Sequence, residues 1–180
     1  WRPLVAPLQS TNYVKRLEQE AKKQLTIWPY HVGIGSVGNA LDPELYSAVL
    51  WHSLARKSQP TFLTKGSIPH TEHYSIIQPE VPVPNHPLGG KNKPFLDTLS
   101  KADVVLIAGE AESHCVLETV EDLVEDFSGK NALDKIYFLR DCSSPVQQPD
   151  VDFHAIALNR FAEFEKQGVN FINSTDTLPF

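Results

Sequence analysis

The stretch ADVVLIAGEAESHCVLETVEDLVEDF, Ala102 to Phe127, decides the fold. A short apolar run, Val104–Ala108, ends at Gly109. Small and polar residues and His114 follow, then Cys115, then Val116, Val120 and Leu123 at helical spacing. The pattern predicts a buried parallel strand, a sharp turn and a helix that opens near the cysteine. A cysteine in the first turn of a helix meets unpaired backbone N–H groups and the positive end of the helix dipole. Such surroundings favour thiolate, the nucleophilic form of cysteine, by analogy with the strand–turn–helix elbow that presents a serine in α/β-hydrolases. The competing reading is a buried cysteine that packs as a small hydrophobe.

Working outward, strands and helices alternate. Ser10–Thr11 can cap a helix through about Gln24, with Tyr13, Val14, Leu17 and Ala21 on one face. Trp28-Pro29 and the glycines from Gly33 to Gly38 read as a loop. Asp42-Pro43 is an N-cap followed by a first-turn proline, opening a helix to about Lys57 with an apolar stripe of Leu45, Val49, Leu50 and Leu54. Thr61–Lys65 reads as a strand. Residues 66–95 carry prolines and Gly89-Gly90 without a regular pattern, and a long irregular stretch in a compact domain is usually functional or mobile. A short helix over Pro94–Lys101, a strand over Lys135–Leu139, a helix over Val151–Gln167 and a strand over Val169–Ile172 complete the chain. Asp141 follows the IYFL strand and is expected to cap the next turn. The alternation implies an α/β fold, three layers (α/β/α) around a central parallel sheet.

Composition limits the function classes. A chain of 180 residues fits one domain, residues 1–180, with a real core. The formal net charge of −6 argues against a nucleic-acid surface. No apolar run approaches the roughly 18 residues of a transmembrane helix, and WRPLVAPLQS lacks the pattern of a signal peptide. Two cysteines, Cys115 and Cys142, could pair, but a disulfide would consume the best nucleophile, so a reducing, cytoplasmic setting is expected. The chain begins at Trp1 and contains no methionine, which reads as a fragment or a processed form.

Lys65 lies at the C-terminal end of a predicted strand, where ligands bind in open α/β sheets. A solvated surface lysine is the alternative. His31, in a loop, reads as solvated or hydrogen-bonded, and Trp28 as core or as a stacking surface. The pair His70-x-x-His73 reads as a loop feature, with metal ligation the less favoured alternative.

The segment GEAESHCV, Gly109 to Val116, resembles the active-site motif of the isochorismatase-like cysteine hydrolases, whose best-known branch is nicotinamidase/pyrazinamidase. IWPYHVGIGSVG, Ile27 to Gly38, resembles the W-P-x-H-C-x-x-G-T-x-G block of that family. FLTKG, Phe62 to Gly66, followed by His73–Ser75, resembles its strand-end K-G and later Y-S. The three blocks stand in register over residues 24–175. The chain departs from the family at Val32, where cysteine is frequent, and at Ser113, where aspartate is common and holds the nucleophile turn.

The resemblance implies a nucleophile at Cys115 and the lysine of an Asp–Lys–Cys triad at Lys65, so the two are expected within a few ångströms of each other. It implies a cis peptide before Ala111 and an oxyanion site on the amides of Ala111 and Cys115. Trp28 and Tyr74 match substrate-lining positions, suited to stacking on an aromatic amide, and His31 matches a metal histidine. The triad aspartate and the remaining metal ligands sit on strands that precede this chain. A divalent metal, zinc by analogy, is therefore expected only where those N-terminal ligands are present, because one imidazole cannot hold a site that takes three or four protein ligands. The family sheet has six strands. Without its first two, a gap is expected between Thr61–Lys65 and Val104–Ala108, and the chain alone is not expected to be the complete folding unit. The implied reaction is hydrolysis of nicotinamide or a similar small amide to acid and ammonia through a thioester. The implied partners are that small molecule and either a second copy of the chain or a complementing N-terminal segment, with no nucleic acid and no membrane. The rival reading is a catalytically incomplete subunit that acts through association.

Overall fold

The structure, a computed structural model, describes residues 2–20, 24–130 and 132–178. Three parallel strands, β1 (Val105–Ile107), β2 (Ile136–Leu139) and β3 (Asn170–Ile172), form a sheet in the order β1-β2-β3. Helices α4 (Leu117–Phe127) and α5 (Phe153–Gln167) make the two crossovers between them, as parallel pairing requires. Register is fixed by Val105 opposite Ile136, Ile107 opposite Phe138 and Phe138 opposite Phe171. Helices α1 (Pro7–Gln19), α2 (Pro43–Arg56) and α3 (Lys93–Lys101) precede the sheet in the chain. The α/β class and the helix-flanked parallel sheet agree with the alternation read in the sequence.

Periodicity explains the core. In α4, Val120, Leu123, Val124 and Phe127 are buried at i, i+3, i+4 and i+7. In β2, Ile136 and Phe138 are buried at alternate positions. These residues pack with Ile77, Leu96, Leu133, Ala157, Phe161, Phe164 and Val169 into one cluster. The Asp152 side chain caps α5 by accepting from the Ala155 amide, and Gly168 ends it with φ of +113°.

Three expectations need correction, and the stretch 66–92 is as irregular as its sequence predicts. Ser10 and Thr11 do not cap α1. It starts at Pro7 after Ala6, and both hydroxyls donate back to earlier carbonyls, of Val5 and Pro7, the bonding of residues inside a helix. Ala21 lies outside the described residues. Thr61–Lys65 forms no strand, because no described segment offers its backbone a ladder partner. The stretch 66–92 holds no helix or strand yet is packed: Ile68, Thr71, Ser75, Ile77 and Val81 are all buried. Asp141 accepts from the amide and hydroxyl of Ser174, at 2.7 and 2.6 Å, and so ties the loop after β3 rather than capping its own turn.

Within that packed stretch, Gly89 takes close approach to its limit. A Cβ there would lie 2.1 Å from the Val83 carbonyl oxygen, while the Val83 amide donates to the Gly89 carbonyl at 2.8 Å. The Gly89→Ala variant is expected to lose about 1–3 kcal/mol of stability through overpacking, read from the urea midpoint. An unchanged midpoint would mean this loop is not packed as described.

Helix α2 is built as the sequence predicts, with Asp42 accepting from the amides of Glu44 and Leu45. It nevertheless buries no residue. Leu45, Tyr46, Leu50, Trp51 and Leu54 are exposed, and from 29 to 64 only Val49 and Ser53 are even half-buried. The chain exposes 12411 Å², where a compact monomer of its mass exposes about 8,700 Å².

Candidate active site

Cys115 stands at the end of β1, beyond Gly109, whose φ is +120°, a value open to glycine. The Glu110–Ala111 peptide is cis, as the resemblance implied. The chain then enters a wide π turn, Glu112–Val116, closed by the Val116 amide on the Ala111 carbonyl at 3.1 Å, and runs on into α4. The cysteine therefore sits in this turn, one step ahead of the α-helix proper. The segment after β2 holds the turn in place. The Gly109 amide donates to the Cys142 carbonyl at 2.9 Å, and the Glu112 amide to the Ser144 carbonyl at 2.9 Å. The Ser143 hydroxyl donates to the Gly109 carbonyl. The Glu110 carboxylate accepts from the amide and hydroxyl of Ser144 at 3.1 and 3.0 Å. Ser113 accepts from the Val146 amide at 3.0 Å, so a serine still anchors the turn where the family often has aspartate.

Lys65 is brought to the sulfur from 50 positions away. Its Nζ donates to Cys115 Sγ at 3.2 Å and to the His73 carbonyl at 2.8 Å. An ammonium so placed stabilises negative charge on sulfur. The two groups line a cavity of about 620 Å³ shared with Trp28, His31, Tyr74 and Ala111. Trp28 Nε1 donates to the Tyr74 hydroxyl at 3.1 Å. Burial pushes the Tyr74 hydroxyl up to about 12, so it stays protonated at neutral pH. Burial, and next the Lys65 charge, pulls the His73 imidazole below its ordinary range and favours the neutral ring. A larger cavity, about 880 Å³, lies elsewhere among Glu80, Glu121, Asp122 and Arg160, and the described residues that line it include no cysteine, serine or lysine.

The sequence reading missed the ring that organises the wall. His114, next to Cys115, meets Trp28 edge-on at 5.3 Å, Tyr74 at 5.9 Å and Phe153 at 4.7 Å. Its position beside Cys115 was a usable signal. Phe153, 38 positions further on and at the start of α5, gave none. Glu72 was missed too: its carboxylate accepts from the Tyr13 hydroxyl at 2.8 Å, tying α1 to the cavity wall.

The remaining expected residues are less engaged. His31 is exposed, with Nδ1 2.6 Å from the Pro29 carbonyl. Among the described residues no group of three or more His, Cys, Asp or Glu side chains could hold a metal. These residues therefore do not fit a zinc site, which takes three or four protein ligands, and His70-x-x-His73 supplies none. Cys115 and Cys142 are both free thiols.

No protein-family model and no curated protein matches the chain. Solved structures do. The nicotinamidase/pyrazinamidase of Acinetobacter baumanii aligns with 86% of this chain at 21% identity and a TM-score of 0.55. The chain has the nicotinamidase fold. The L. infantum PnC1 in complex with nicotinate aligns with 83% of it at 23% identity and a TM-score of 0.56. The pyrazinamidase of Pyrococcus horikoshii in complex with zinc aligns with 82% at 19% identity and a TM-score of 0.50. The chain spans 62%, 62% and 63% of the length of these three nicotinamidase-fold proteins.

Proposed function

We propose that the Cys115 site hydrolyses a small aromatic amide, nicotinamide or a near relative, to the acid and ammonia. The observation that carries this reading is the Lys65 Nζ–Cys115 Sγ contact of 3.2 Å at a cavity walled by aromatic rings. Cys115 thiolate attacks the carboxamide carbon, forming the S–C bond while the carbonyl electron pair moves to oxygen. The amides of Ala111 and Cys115 receive that oxyanion. Collapse breaks the C–N bond, and the nitrogen leaves as ammonia with a proton from an acid. Water then adds to the thioester carbon, releasing the carboxylic acid and restoring the thiol. Trp28 and Tyr74 hold the flat ring of the substrate. In the resembled family the acid is an aspartate, and no aspartate among the described residues lines the Cys115 cavity, so full turnover is expected to need an added acid. No step is routed through a metal, which the described residues cannot hold alone.

The chain is taken as one domain over residues 1–180. Two free thiols suit a reducing, cytoplasmic setting, and no helix among the described residues is long and apolar enough to cross a membrane. A second reading, a subunit that acts through association, is favoured by the bare apolar face of α2. A complementing N-terminal segment or a second copy of the chain would serve as its partner.

Iodoacetamide labelling followed by mass spectrometry tests the chemistry. Near neutral pH, Cys115 is expected to react ahead of Cys142, which contacts the Asp141 carboxylate rather than an ammonium. Preferential labelling of Cys142 would sink the assignment. Ammonia release from nicotinamide is expected when a segment that supplies an acid is added, and full turnover by the 180-residue chain alone would overturn the dependence on an outside acid.

A further inference from the structure

The nucleophile turn is held from two sides. Residues 142–146 hold one side, as described above. The other hold comes from the first turn of α5. Glu112, the first residue of the π turn, is buried, its side chain 6% exposed. Its Oε1 lies 2.7 Å from Nδ1 of His154, whose own side chain is 49% exposed. The preceding residue, Phe153, sets its ring edge-on against His114 at 4.7 Å. Two consecutive residues at the start of α5 thus grip the residue that opens the turn and the residue beside the sulfur.

We propose that His154 is a positioning residue for Cys115, acting through Glu112. The inference rests on the reading of Cys115 as the nucleophile. A carboxylate this deeply buried is tolerated where it is paired. His154 Nδ1–H supplies the pairing donor and fixes where Glu112 can sit. Without that donor the carboxyl group must seek water, and the turn that carries it moves with it. The Lys65 contact at 3.2 Å is then lengthened, and with it the stabilisation of charge on sulfur. His154 touches neither the cavity nor the sulfur, so its effect is confined to geometry.

The test compares wild type, His154→Ala and His154→Asn by iodoacetamide labelling of both cysteines at pH 7 and at about pH 9.5, where a free thiol is mostly ionised without help. His154→Ala is expected to label Cys115 at least fivefold more slowly at pH 7 and within twofold of wild type at the higher pH, with Cys142 unchanged. His154→Asn, which keeps an N–H donor, is expected to restore the pH 7 rate to within twofold. A Cys115 rate that ignores His154, a slowing equal at both pH values, equal change at both cysteines, or an asparagine variant no better than alanine would overturn the proposal. A wild-type Cys115 no faster than Cys142 would instead overturn the nucleophile reading itself.

Discussion

Lys65→Met is expected to slow alkylation of Cys115 near neutral pH by about tenfold or more while leaving Cys142 untouched. Methionine keeps a long apolar stem and removes the ammonium that donates to Sγ at 3.2 Å. A neighbouring ammonium stabilises negative charge on sulfur, and thiolate is the species that alkylates. The same ammonium also fastens the His73 carbonyl at 2.8 Å, so the variant also frees the strap that carries Tyr74. Cys142 is the internal control for folding, since its sulfur contacts the Asp141 carboxylate and not Lys65. An unchanged Cys115 profile would return Lys65 to the role of a solvated lysine and leave the site resting on the cysteine turn.

The largest loss of stability should come from Phe138→Ala. Phe138 is 1% exposed and occupies the middle strand, with β1 on one side and β3 on the other. Its ring packs at a tilt against Phe161 at 4.8 Å and Phe171 at 5.5 Å. Truncating a buried phenylalanine costs about 3–5 kcal/mol, because the lost transfer energy is joined by a cavity that rigid neighbours cannot fill. A domain has only about 5–15 kcal/mol to lose. Thermal or urea unfolding should show the variant close to collapse, and Phe171→Ala, at a half-buried position, should cost visibly less. If the two variants were equally mild, the aromatic cluster would not be the centre of the core.

Local pattern explains which parts were legible. The apolar run before Gly109 and the i, i+3, i+4 spacing after Cys115 are short-range signals, and β1, the turn and α4 appear where they indicate. The Asp42-Pro43 cap was equally readable because one side chain and two neighbouring amides make it. Thr61–Lys65 carries strand residues and forms no strand, since pairing belongs to the partner as much as to the segment. The grip of Phe153 and His154 on the cysteine turn joins residues about 40 positions apart and leaves no period to detect. The meeting of Lys65 and Cys115 came from matched motifs, not from periodicity.

The uneven burial of the chain divides it into two tiers of cooperativity. The sheet, α4 and α5 share the buried cluster, so their amides should open only with global unfolding. Helix α2 and its flanks bury almost nothing and belong at the easily opened end of that scale. Lys65 directly follows the loose tier in the chain, and Cys115 belongs to the firm one. The contact between them therefore lies at a seam, and mild denaturation should part the lysine from the sulfur while the sheet is still intact.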